Sequence, residues 1–102
     1  MKDKTGLSAE AQAQAEQALF DAMASLEDAA EAEAFLRDLC TPAELQALVD
    51  RWAVVALLRR SMTYREIHDR TGVSVTTVGR VARFLESGYG GYRRLAERMD
   101  PK

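Results

Sequence analysis

The chain has 102 residues, 14 Lys and Arg against 16 Asp and Glu, a net charge of −2, one His and one Cys. That length fits one domain, and 47% hydrophobic with 29% charged residues is globular usage, which excludes a disordered chain. One Cys excludes a disulfide framework within the chain, and one Cys with one His is too few for a zinc site.

Met1 to Gly6 lacks an apolar h-region and is not read as a secretory signal. No segment alternates apolar and polar residues as a half-buried strand would, so an all-α chain of about six helices is expected. Residues 8–24, rich in Ala, Gln and Glu, predict a first helix with Leu19, Met23 and Leu26 along one face. Ser25 to Asp28 has capping-box spacing and predicts the start of a short second helix, with Ala32, Phe35, Leu36 and Leu39 inward. Thr41-Pro42-Ala43-Glu44 is a stronger start, with Thr at the N-cap, Pro at N1 and Glu at N3. From it a third helix runs to about Arg60, carrying Leu45, Leu48, Trp52, Val55 and Leu58 at helical spacing. Ala53, Val54, Ala56 and Leu57 are apolar too, so this helix is expected to be surrounded, with Trp52 in the core. Its longest apolar run, Trp52 to Leu58, is far below the ~18–20 residues that span a bilayer. Thr63 to Glu66 repeats the capping box and opens a helix ending near Thr71, after which Gly72 can take φ > 0. Ser74 caps a further helix from Val75 to about Glu86, and Tyr92 to Met99 forms a last short one. The segments are thus 8–39, 41–60, 63–86 and 87–102 within one domain, 1–102.

Charge is unevenly spread along these elements. Residues 1–40 hold three bases and nine acids, a balance of −6, and residues 41–102 hold eleven bases and seven acids, a balance of +4. Within 59–83, arginines at 59, 60, 65, 70, 80 and 83 stand against only Glu66 and Asp69, so the whole +4 lies there. An acidic half joined to a basic half points to a local anionic partner, with a solvated helix face as the plainer alternative.

Residues 64–83 read as a helix-turn-helix. Two short helices meeting steeply need a Gly-compatible turn, here Gly72, and apolar residues that lock the pair, here Ile67, Val73, Val78 and Val81. Ser74, Val75, Thr76, Thr77, Gly79, Arg80 and Arg83 are left on or near the outer face of the second helix. Its N-terminal residues would reach base edges in the major groove of double-stranded DNA. Thr76 and Thr77 can meet thymine methyls and base acceptors, and arginines suit phosphates or guanine. Arg59, Tyr64 and Arg65 are further candidates for the DNA surface. A helical hairpin in a bundle would bury the same apolar residues, but the outer face is short-chained and flanked by arginines. Gly79 costs ~1 kcal/mol relative to Ala inside a helix; it either lets the backbone approach DNA or is a tolerated surface Gly.

From Leu39 to Leu85 the chain resembles the tryptophan repressor superfamily, and within it the tryptophan-repressor-related YerC/YecD branch. The residues that carry this are Thr41-Pro42-x-Glu44, Ala47-Leu48-x-x-Arg51, Leu57-Leu58-Arg59, Thr63-Tyr64-Arg65-Glu66-Ile67 and Thr71-Gly72-Val73-Ser74-x-x-Thr77-Val78-x-Arg80. The resemblance implies a six-helix, intertwined homodimer whose helix-turn-helix binds operator half-sites and regulates transcription, as a repressor in the bacterial cytoplasm, at the nucleoid. It places a long polar side chain at His68, making that residue a candidate DNA contact, with a solvent-exposed His as the alternative. It also implies an effector pocket. In the tryptophan repressor two arginines hold the amino acid, and Arg51 and Arg80 match them, with Thr41 matching the Thr ahead of the central helix. Arg51 stands one residue closer to Leu57-Leu58 than in the repressor, about 100° of helix. Val81 and Phe84 stand where the family has small residues, and Phe84 would fill the indole's volume. Tryptophan is therefore not expected to bind, and no cofactor is expected. The first two helices, with Phe20, Met23, Leu26, Phe35 and Leu36, are the expected dimer interface. A module of the same shape that docks on protein or RNA, or a repressor with an unidentified small effector, are the competing readings. No nucleophile–base pair, metal cluster or Gly-rich phosphate loop points to an enzyme.

Overall fold

Six side-chain and backbone signals open six helices. The computed structural model describes residues 8–101, and the segment Met1 to Gly6 lies outside them. The helices are α1 (Ala9–Ala24), α2 (Ala29–Leu39), α3 (Pro42–Arg59), α4 (Tyr64–Thr71), α5 (Val75–Ser87) and α6 (Gly91–Met99), with no strand among the described residues. Thr41 and Thr63 each form a complete capping box, with Glu44 and Glu66 reaching back to the cap N–H groups at 2.8 and 2.9 Å. Each box satisfies two donors that a helix start otherwise leaves unpaired.

The start of α2 departs from expectation. Ser25 does not open it: its Oγ donates to the Ala22 carbonyl and it ends α1. Asp28 is the cap, its carboxylate accepting the Glu31 N–H at 2.8 Å while Glu31 accepts the N–H of Glu27 at 2.9 Å. Asp28 is the better cap because it places a carboxylate on an N–H group of the first turn.

The helices fall into two compact units divided between Cys40 and Thr41. In the first unit neither α1 nor α2 contains a buried residue, and Phe20 is 57% exposed. In the second unit α3 packs against α4, α5 and α6, and the core is Val54, Val55, Ile67, Val73, Val78, Val81 and Ala96. All four residues expected to lock the helix-turn-helix are in it. Each buried side chain of Val or Ile size is worth roughly 1.5–3 kcal/mol of transfer free energy, so this small core dominates the unit's stability.

The central helix is only half surrounded. Val54 and Val55 are buried, but Leu48, Val49 and Trp52 are exposed, so Trp52 is not a core residue. Periodicity located an apolar helix correctly but could not say how far along it the neighbouring helices extend. No helix among the described residues is long and apolar enough to cross a membrane.

Candidate nucleic-acid interface

α4 and α5 meet through a turn built from three interactions. Gly72 ends α4 at φ 80°, a left-handed conformation that only Gly adopts without strain. Thr71 Oγ1 donates to the Ile67 carbonyl at 2.7 Å and accepts the Val73 N–H at 3.0 Å. His68 Nδ1–H donates across the turn to the Val73 carbonyl at 2.8 Å. A carbonyl can only accept, so this bond fixes the proton on Nδ1. His68 is half-buried, and one ring nitrogen serves the turn.

Ser74 then caps α5. Its Oγ accepts the Thr77 N–H at 3.1 Å and donates to Thr77 Oγ1 at 3.1 Å. Ser74, Val75 and Thr76 are exposed, whereas Thr77 is half-buried. Gly79 faces α4: a Cβ there would meet Tyr64 Cε2 at 3.7 Å, an ordinary contact. Arg83 and Arg65 are exposed, and Tyr64 is exposed on the same pair of helices.

The arginines divide by what they touch. Arg59 is half-buried and its Nη1 donates to the carbonyls of Ala96 and Asp100 at 3.1 and 3.2 Å, closing the end of α6. Arg93 closes the end of α5 in the same way, donating to Leu85 and Glu86 at 3.1 and 2.8 Å. Arg80 lies over the Phe84 ring, 4.6 Å from its centroid. The one ion pair among the described residues is Arg37–Glu33 on α2. The basic window thus keeps its charge uncompensated by any carboxylate within 4 Å, as a surface for an anionic partner requires.

A cavity of about 540 Å³ opens between α3, α5 and α6, lined by Arg51, Trp52, Arg80, Phe84, Tyr89, Gly91, Tyr92 and Leu95. Arg51 and Arg80 are brought together there, so the shorter spacing to Leu57 does not turn Arg51 away. Phe84 lines the space without eliminating it. Thr41, at the exposed cap of α3, and Val81, 1% exposed in the core, are not among its lining residues. Trp52 and Tyr92, ring centroids 6.4 Å apart, form one wall. Trp52, Tyr89, Gly91, Tyr92 and Leu95 line the cavity although none was expected there. Tyr92 and Leu95, three apart on a short amphipathic helix, were the available signal.

A family model described as Trp repressor protein matches residues 14–100. The chain belongs to the Trp repressor protein family. The matched span contains every block on which the resemblance rests. It is 40% identical over 81 residues to the uncharacterized protein YerC of Bacillus subtilis (strain 168), covering 79% of this chain and 78% of that one. The crystal structure of a TrpR-like protein from Eubacterium eligens ATCC 27750 matches at a TM-score of 0.80 and 42% identity, covering 86% of this chain and 91% of that chain. A solved Staphylococcus aureus structure matches at 0.81 and 36% identity, over 87% and 89%. The all-α, TrpR-like fold expected from the residues is therefore the fold observed. Trp repressor-like proteins are helix-turn-helix regulators rather than enzymes.

Proposed function

We propose that this chain is a sequence-specific, double-stranded DNA-binding transcriptional repressor of the bacterial cytoplasm and nucleoid, acting as a homodimer through α4 and α5 and without tryptophan as corepressor. The observation that carries the reading is the first turn of α5, exposed at Ser74, Val75 and Thr76, beside arginines that no carboxylate neutralises. A duplex offers matched partners for both: base edges for the short side chains and phosphates for the guanidinium groups. Arg65 and Arg83 are the phosphate contacts with free side chains; Arg59 contributes mainly by holding α6. Absence of tryptophan binding is supported by Arg80, whose guanidinium is engaged on the Phe84 ring. Titration calorimetry is expected to show no tryptophan uptake at micromolar concentration, and micromolar binding would overturn that part of the reading.

The test of the whole reading is selection from random duplexes followed by salt titration. About six phosphate contacts per dimer predict log K falling with log salt at a slope of about −5. Replacing Thr76 should change which sequence is preferred, whereas Arg65→Gln should weaken all duplexes alike and flatten the salt slope by about one unit per subunit. No sequence-preferring duplex at ~50–100 mM salt would favour a protein- or RNA-docking module instead. The 540 Å³ cavity with its two guanidinium groups favours a second reading, in which a small effector other than tryptophan tunes the same regulator.

A further inference from the structure

The base-facing end of α5 is short of chemistry that could read a purine. From Ser74 to Gly79 the sequence is Ser-Val-Thr-Thr-Val-Gly, with no amide, acid, Lys or Arg. Ser74 Oγ is committed, accepting the Thr77 N–H and donating to Thr77 Oγ1, and Thr77 is half-buried. Val78 is fully buried, and Gly79 has only the Tyr64 ring before it. Arg80, the first long side chain, rests on Phe84 in the cavity wall. What remains free in the first turn is Val75, 45% exposed, and Thr76, whose hydroxyl makes no side-chain hydrogen bond among the described residues.

In the major groove, guanine and adenine are distinguished by paired hydrogen bonds from Arg, Lys, Asn or Gln, and thymine by the apolar C5-methyl group. Resting on the DNA reading above, we infer that the first turn of α5 selects thymine by methyl contact, through the side-chain methyl groups of Val75 and Thr76. Both residues are unpartnered in the free chain, so burying them against thymine methyls removes apolar surface from water on both molecules. Thr76 Oγ1 adds one hydrogen bond and cannot make the paired contacts that fix a purine.

The experiment uses the full chain and the duplex it enriches from a random library. Each thymine is replaced in turn by deoxyuridine, which keeps base pairing and removes one methyl group. One or two thymines in each half-site are expected to lose about fourfold in affinity, from ~0.8 kcal/mol per buried methyl, and about fifteenfold when both half-sites are changed. Val75→Ala and Thr76→Ser, checked for unchanged helicity, are each expected to abolish the uracil effect at one position. Indifference to uracil at every thymine would overturn methyl selection while leaving DNA binding intact. An undiminished uracil effect in both variants would overturn it too, since the methyl would then act through duplex shape. Failure to enrich any duplex would overturn the DNA reading and this inference with it.

Discussion

Gly79 is half-buried within α5, and a Cβ built there meets only the Tyr64 ring at 3.7 Å. An added methyl group there is therefore accommodated within the chain. A glycine kept for close approach to DNA would face the duplex; this one faces α4. Gly79→Ala should therefore stabilise the protein by roughly 0.5–1 kcal/mol from helix propensity alone, with duplex affinity unchanged within about twofold. Thermal unfolding and a binding titration check both halves, and a tenfold loss of affinity would return Gly79 to the interface. Gly72 behaves oppositely. At φ 80° with nothing within 4 Å of an added Cβ, Gly72→Ala meets no neighbour but costs about 1 kcal/mol or more in backbone strain. Two alanine substitutions seven residues of chain apart thus change stability in opposite directions, for reasons local to each backbone.

At the scale of helices, local signals were legible and long-range ones were not. Thr41-x-x-Glu44 and Thr63-x-x-Glu66 could be read directly because a capping box closes within four residues. Thr63→Ala should cost about 1 kcal/mol, and the loss should appear as faster amide exchange in the first turn of α4. The locking residues Ile67, Val73, Val78 and Val81 were legible for the same reason, since a short turn leaves two helices little choice of contact. Arg59 was not legible: its carbonyl partners lie 37 and 41 residues away, and nothing in its own sequence neighbourhood marks it as the closure of α6. Trp52 shows the same limit. Its apolar character placed it inside, but α4, α5 and α6 cover α3 only around Val54 and Val55, leaving the indole on a cavity wall with Tyr92. For Phe84, side-chain volume predicted a filled hole, whereas the ring's placement under Arg80 decides how much space survives.

At the scale of the molecule, the apolar surface left uncovered argues for a second copy. Helices as short as α1 and α2 are marginal alone in water and draw their stability from a packed apolar face. Neither contains a buried residue, yet Leu19, Phe20 and Met23 cluster within one turn of α1, and Leu39 is 53% exposed at the end of α2. Leu48, Val49 and Trp52 on α3 repeat the pattern. Single exposed apolar residues need no explanation, but groups on three successive helices do. The proposed homodimer would also offer two copies of α5 to one duplex, where twofold protein symmetry matches a palindromic site. Sedimentation of the full chain at micromolar concentration should give twice the mass of one chain, and a monomer would refute the assembly. Phe20→Glu places a charge in the proposed interface and should shift the equilibrium toward monomer, weakening binding to a two-half-site duplex by at least about tenfold, the equivalent of ~1.4 kcal/mol. Its effect on a single half-site should be small, because one half-site needs only one copy of α4 and α5. Equal loss on both duplexes would instead mean that Phe20 supports the fold of the chain itself.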